Sequence, residues 1–312
     1  MEDLVHEGSE GWLFLIGGSN SALSSYCGVH QDTGWEGGWA TLLASRTQKL
    51  EELGIKYCHV IAPEKISIYG SGFMKEKLAQ QLELGATPAI KIQKELSTRV
   101  VKNFIDPSVY LRAQSLKYPT YHKTDSHWNF IGAYSVYQLI MKKLDLEPSE
   151  IPLNRIMPKV DCVMDLGGKL KEPIAESVSF YECSENVHRS YANPLVQYKE
   201  LNNLENRAGL HSGSIVTYEN KNALHNKSIL LFGDSFSEYR THLLTGVFAE
   251  SFQKVTFVWG LNIDYELVES LKPDIVISEA AERFMPYMVP TDDVDYESLS
   301  LEIIEKYESD RR

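Results

Sequence analysis

The sequence predicts an α/β fold, a parallel sheet layered between helices, and three observations lead there. Short apolar runs alternate with helix-patterned segments; 43% of the 312 residues are hydrophobic, enough to bury a full core; and the tripeptide Gly233-Asp234-Ser235 directly follows the apolar run Ile229-Leu230-Leu231-Phe232. Polar chemistry at the end of a buried strand is what the carboxyl edge of a parallel sheet presents.

Taken in order, Trp39 to Leu53 reads as a helix leading into a first strand, Lys56 to Ile61, an apolar run around Cys58. Helical patterns follow around Met74 to Leu84 and Pro88 to Thr98, then a strand at Val101 to Ile105 and a helix at Phe130 to Leu144. The rhythm resumes with a strand at Ser228 to Phe232, a helix-like stretch at Phe236 to Glu250, a strand at Lys254 to Trp259, a helix at Tyr265 to Leu271 and a strand at Asp274 to Ser278. Residues 291–312 are acidic and then helix-like from Tyr296 to Tyr307. Between about Glu147 and Asn226 the pattern breaks into glycines, histidines and short alternations such as Val178 to Tyr181 and Ser214 to Tyr218, which reads as an insertion of short strands and loops overhanging the sheet edge. The expected organisation is therefore 1–146 and 227–290 as two parts of one domain, 147–226 as an inserted subdomain, and 291–312 as a peripheral helix or tail.

Composition narrows the partners. The chain has 31 Lys and Arg against 43 Asp and Glu, a formal charge of −12, which repels nucleic-acid phosphates and anionic lipids. No window approaches eighteen uninterrupted apolar residues, and Met1 to Gly8 lacks a basic n-region and an apolar h-region, so no membrane span is expected. A cytoplasmic location follows as the expectation, with an extracytoplasmic one as the alternative if a leader once preceded Met1. Cys27, Cys58, Cys162 and Cys183 form no Cys-x-x-Cys pair and read as reduced thiols, with a Cys162 to Cys183 bridge left open.

A serine hydroxyl needs an imidazole to take its proton and a carboxylate to orient that imidazole. Ser235, at the strand-to-helix junction, is the candidate nucleophile. Asp125-Ser126-His127-Trp128-Asn129 supplies the other two groups: Asp125 and His127 stand two apart, on one side of an extended segment, in a loop bounded by Pro119 and the helix opening near Phe130. The Ser235 N–H is a candidate oxyanion donor, with the positive end of a following helix behind it. Asn129 is a candidate second donor, although it stands where an N-cap would stand.

The two motifs resemble the SGNH-hydrolase-like domains of the alginate O-acetyltransferase family, which acylate bacterial polysaccharides. The resemblance rests on Asp125 to Asn129 with Gly132-Ala133 and on Gly233-Asp234-Ser235-Phe236-Ser237. Weaker echoes are Gly11-Trp12-Leu13-Phe14, Pro63-Glu64-Lys65 with Tyr69, and Glu282-Arg283, so that it spans about residues 8 to 285. The Asp/His block precedes the Gly-Asp-Ser block, the circularly permuted order of that family. The resemblance implies an SGNH-like three-layer sandwich, with Ser235 as nucleophile, His127 as general base and Asp125 as its partner. It further implies a glycan acceptor, an acyl donor and a membrane-bound acyl-donating partner. Asp234, Lys65 and Arg283 stand as candidate oxyanion or substrate-binding residues; Lys65 and Arg283 read equally well as structural ion-pair residues. The chain departs from the family's characterised members, which act outside the cytoplasm and carry a signal peptide or anchor, and no carbohydrate-binding module follows Arg283.

Other readings remain beside this one. An esterase would run the same first half-reaction and give the acyl group to water, and a catalytically silent glycan-binding subunit would keep the fold alone. No cofactor is expected and no metal: His122, Asp125 and His127 lack the helical i, i+4 spacing of a ligand pair. His242, two turns down the expected helix from Ser235, would lie about 10 Å away. His188, His211 and His225 read as polar loop residues. Tyr26, Trp35 and Trp39, around the Gly28 to Gly38 stretch, read as loop anchors or as a sugar-stacking platform. Gly17-Gly18-Ser19-Asn20 lacks the order of a phosphate loop.

Overall fold

A computed structural model describes residues 4–18, 21–28, 34–207 and 209–311. The chain opens with an antiparallel pair, β1 (Val5–Glu7) and β2 (Leu13–Leu15), before α1 (Trp35–Glu52) and β3 (Lys56–Ala62). Helices α2 (Lys65–Phe73), α3 (Glu76–Ala79), α4 (Pro88–Glu95) and α5 (Thr98–Val101) lead to β4 (Phe104–Ile105), α6 (Ser108–Ser115) and α7 (Phe130–Leu144). The stretch after Glu147 holds the small antiparallel pair β5 (Val160–Cys162) and β6 (Glu176–Val178), then β7 (Val187–Ala192), α8 (Pro194–Asn202) and β8 (Ile215–Asn220). β9 (His225–Gly233), α9 (Leu244–Ser251), β10 (Phe252–Trp259), α10 (Tyr265–Leu271), β11 (Ile275–Ala281) and α11 (Tyr296–Ser309) complete the chain.

Among the described residues the central sheet has seven strands in the order β4-β3-β11-β9-β10-β8-β7. The first five run parallel, and β8 and β7 extend one edge antiparallel. The 147–226 stretch thus builds two strands of the main sheet as well as loops. Both faces of the parallel strands are covered, which is why they read as continuous apolar runs. On one face Ile229, Leu231, Val255, Phe257, Ile275 and Ile277 pack with residues of α7 and α9; on the other, Leu230, Phe232, Val258 and Val276 pack with Val268 and Tyr296, and Ile61 with Trp39 and Leu43. This is the three-layer α/β sandwich expected. Trp39 and Tyr26 are anchors rather than a platform: both are buried, Trp39 Nε1 donates to the Met285 carbonyl at 3.0 Å, and the Tyr26 hydroxyl bonds Glu282. Residues 29–33 of the glycine-rich stretch, and Ser19 and Asn20, lie outside the described residues.

Several elements differ from expectation. Lys65–Phe73 is a helix although Gly70 and Gly72 weaken its pattern, while Met74 to Leu84 reduces to the single turn α3. Val101 ends α5, leaving β4 only Phe104 and Ile105. The most consequential difference is at Phe236 to Glu250, where the helix begins only at Leu244. Asp234 Oδ1 accepts the Phe236 N–H at 3.0 Å, and the Ser237 carbonyl is taken by Thr245 through N–H (3.2 Å) and Oγ1 (2.8 Å), so the intervening chain loops out instead of winding on. No helix of the described residues is long and apolar enough to cross a membrane.

Candidate active site

β9 lies between β10 and β11, with Gly233 opposite Trp259 and Phe232 opposite Ser278, so Ser235 emerges at the centre of the sheet's carboxyl edge. Gly233 is required there: a Cβ would come within 2.9 Å of Glu279 Oε2 and 3.0 Å of Ser237 Cβ. Asp234 is buried and wholly occupied. Its Oδ2 accepts the Ala281 N–H at 2.7 Å and its N–H donates to Glu279 Oε2 at 3.1 Å, bolting the turn to β11. Burial, with Asp234 beside it, pushes the Glu279 carboxyl well above its ordinary range.

The second motif docks onto the first through aromatic packing. Trp128 stands edge-on to Phe236 with ring centroids 4.9 Å apart, and its Nε1 donates to the Phe236 carbonyl at 3.0 Å. His127 meets the same ring at 4.8 Å. Gly132 lets α7 start this close to the loop, since a Cβ on it would strike the Thr120 carbonyl. The outcome is a continuous chain of hydrogen bonds. Ser235 Oγ lies 2.8 Å from His127 Nε2, and His127 Nδ1 lies 2.7 Å from Asp125 Oδ1, which also accepts the His127 N–H at 2.9 Å. Burial alone would lower the His127 imidazole and raise the Asp125 carboxyl. Their mutual attraction and hydrogen bonding win, holding His127 above its usual 6.5 and Asp125 well below the carboxylate range.

The remaining candidates have structural partners. Asn129 is the N-cap of α7: Oδ1 accepts the Gly132 N–H at 3.0 Å and one Nδ2 hydrogen is donated to the Pro119 carbonyl at 2.8 Å, so both ends of its amide are tied to the loop. Lys65 grips no open site; its buried ammonium donates to the carbonyls of His122 (3.0 Å), Lys123 (2.8 Å) and Asp125 (2.5 Å). Arg283 pairs with Glu64 at 2.6 Å, both buried, with the guanidinium 5.4 Å from the Phe236 ring centroid. The helix dipole expected behind Ser235 is missing because α9 starts nine residues later. His242, no longer on a helix with Ser235, lines the same cavity, and burial beside Arg240 lowers it to about 4. All four cysteines are free thiols, so Cys162 and Cys183 are not bridged.

Asp125, His127 and Asp165 bring potential ligand atoms within 4.8 Å of one another. Each is engaged in hydrogen bonds of its own, Asp165 with the Ser126 N–H and Oγ at 2.7 Å each, and these bonds account for the closeness. Asp165 and Glu176, both from the 147–226 stretch, were not legible as site residues. Half of their bonds come from backbone N–H groups, which leave no trace in a motif. Ser235 and His127 line two adjoining cavities, one of about 640 Å³ with His122, Met164, Phe180 and His242 and one of about 470 Å³ with His211, Glu238 and Trp259, and Asn206 and Arg240 line both.

The sequence profile of a family described as "SGNH hydrolase-like domain, acetyltransferase AlgX" matches residues 5–175, more than half of the chain. The chain belongs to this AlgX acetyltransferase family. As a member it is an enzyme of acetyl transfer. Solved structures agree on the fold: Bacillus cereus PatB1 with a sulfonyl adduct (16% identity, TM-score 0.62, covering 91% of this chain and 96% of that one), the O-acetyltransferase domain of Pseudomonas putida AlgJ (14%, 0.57, 97% and 99%) and Pseudomonas aeruginosa AlgX (16%, 0.55, 91% and 63%). No curated protein matches the sequence. The family's profile covers the Asp125 motif and ends before Gly233, so the half of the site carrying Ser235 stands on the geometry alone. The weaker sequence echoes gather at the same edge: Trp12 stacks on Tyr69 at 4.1 Å, and Lys65 lies beneath both the Asp125 loop and Trp12.

Proposed function

We propose that this AlgX-family enzyme is a serine-dependent polysaccharide O-acetyltransferase working through an acetyl-Ser235 intermediate. The observation that carries the reading is the unbroken line Ser235 Oγ, His127 Nε2, His127 Nδ1, Asp125 Oδ1 at the junction of two cavities. Ser235 Oγ attacks the acetyl carbonyl of the donor while His127 takes its proton; the tetrahedral adduct collapses, and the leaving group departs with that proton. A glycan hydroxyl then gives its proton to His127 and attacks the acetyl-serine, and Ser235 leaves by recovering the proton. The Ser235 N–H has no hydrogen-bond partner among the described residues and is available to the developing oxyanion as one donor. A membrane-bound partner would deliver the acetyl donor, and the chain's net charge of −12 favours an acceptor that is not strongly anionic.

The test is intact-mass detection of an acetyl or methylsulfonyl adduct after exposure to p-nitrophenyl acetate or methanesulfonyl fluoride, in the parent, Ser235→Ala and His127→Ala. An adduct of unchanged yield in Ser235→Ala would defeat the proposal; its loss there, with strong slowing in His127→Ala, is the expected outcome. Labelled acetate recovered on added glycan, rather than free in solution, distinguishes transfer from hydrolysis.

A further inference from the structure

The loop that carries Asp125 and His127 has neither helix nor strand to stiffen it, yet nearly every peptide group from His122 to Ser126 is held. From the sheet side, Lys65 takes the carbonyls of His122, Lys123 and Asp125. The 147–226 stretch takes most of the others. Glu176 accepts the Lys123 N–H at 3.1 Å and, with its other oxygen, the Thr124 N–H and hydroxyl at 2.8 Å each. Asp165 accepts the Ser126 N–H and hydroxyl, one per carboxylate oxygen, at 2.7 Å each. The Leu166 and Gly167 N–H groups both donate to the Thr124 carbonyl, at 3.0 and 2.9 Å. Gly167 is needed for this approach, since a Cβ would come within 2.6 Å of the Ile174 carbonyl. The residues before and after Asp125 are therefore both fixed by carboxylates that belong to a different part of the chain.

We propose that Asp165 and Glu176 are positioning residues for acyl transfer, through which the inserted stretch holds the Asp125–His127 loop in line with Ser235. The assignment rests on the acetyl-serine reading above and adds to it a division of labour. Charge-assisted bonds to backbone N–H groups are stronger than neutral ones, and two oxygens per carboxylate fix orientation as well as distance. The two residues differ in one respect. Asp165 stands close enough to His127 for its charge to favour the imidazolium, whereas the bonds of Glu176 reach only Lys123 and Thr124, on the other side of Asp125 in the chain. The other titratable or charged groups facing His127 are Asp125 on its own loop, His122 before it, Glu64 after β3, His242 after Ser235, and Arg283 after β11, whose guanidinium opposes Asp165.

The experiment compares Asp165→Asn, Asp165→Glu and Glu176→Gln in the full chain. It measures the acetylation burst with p-nitrophenyl acetate against pH, and His127 titration by NMR of ring-labelled histidine. Both charge-removing variants should acetylate about ten- to a hundredfold more slowly, since a small misplacement of the base suffices. Asp165→Asn should also bring the acid limb and the His127 titration to lower pH; Glu176→Gln should leave both in place, and Asp165→Glu should restore the parent titration. Parent-like rates and pH profiles in Asp165→Asn and Glu176→Gln, with only a lower melting temperature, would overturn the proposal. Should Asp165→Asn fail to fold, Ser126→Ala removes one of its two bonds to the loop and should give a smaller loss; a parent-like rate there overturns it equally. A parent that forms no acetyl-enzyme would instead defeat the acetyl-serine reading, while the NMR titration would still decide whether Asp165 acts on His127.

Discussion

His127 is pulled two ways, and the balance sets when it can act. Burial favours its neutral form, but the Asp125 carboxylate 2.7 Å from Nδ1 holds its pKa above 6.5. Protonated, the imidazole cannot accept the Ser235 proton. The acylation rate at low donor concentration, kcat/KM, should therefore rise with pH through an apparent pKa above 6.5, and an acid limb below that value would contradict the geometry. Asp125→Asn removes the attraction and the tautomer control together. Acetylation should fall by about 10⁴-fold, with the surviving activity showing its acid limb at lower pH. Stopped-flow acetylation across pH reads both effects. An unchanged limb with a large loss of rate would mean that Asp125 orients the ring without stabilising its charge.

At the scale of elements, α2 does more than cross back over the sheet, because its first residue, Lys65, reaches three carbonyls of the catalytic loop. Burial lowers its ammonium to about 8, against the pull of Asp125, Asp165, Glu176 and Glu64. Lys65→Met keeps the length of the side chain and strands those carbonyls; denaturant unfolding should show a loss of about 2–4 kcal/mol, with slower acetylation in the fraction that remains folded. A variant as stable and as active as the parent would show the carbonyls finding water instead. Elements of this kind were unevenly legible in the sequence. The strands at Lys56 and Ser228 could be read because burial on both faces makes them continuous apolar runs, and the triad residues because each motif carries its own chemistry. The loop after Ser235 could not: Phe236 and Leu243 look like one face of a helix, but Phe236 is buried under Trp128 and Asp234 has turned the chain aside. Lys65 misled in the other direction. A lysine after a strand suggests an open ligand-binding edge, and nothing local says that its partners are carbonyls nearly sixty residues away.

Across the whole molecule, the terminal helix is tied to the strand that presents the nucleophile. Tyr296, the first residue of α11, lies against Phe232 on β9 with ring centroids 6.2 Å apart, three residues before Ser235. Its hydroxyl donates to the Asn262 carbonyl and accepts the Asn262 N–H, both at 3.2 Å, and its own N–H donates to Asp264 at 3.1 Å. Gly260, whose N–H donates to the Gly233 carbonyl at 2.9 Å, passes so close beneath that a Cβ would collide with the Tyr296 ring and hydroxyl. Three variants separate these effects. Tyr296→Phe loses only the hydroxyl's bonds and should cost about 1 kcal/mol; Tyr296→Ala empties a site in the core and should cost about 3–5 kcal/mol. Gly260→Ala should cost about 1–3 kcal/mol by overpacking, but little further in the Tyr296→Ala background, because the ring it strikes is gone. That non-additivity, read from denaturant midpoints of the four chains in the cycle, is the signature of direct contact. Strict additivity would mean that Gly260 and Tyr296 act separately, and that the terminal helix does not brace the Ser235 strand.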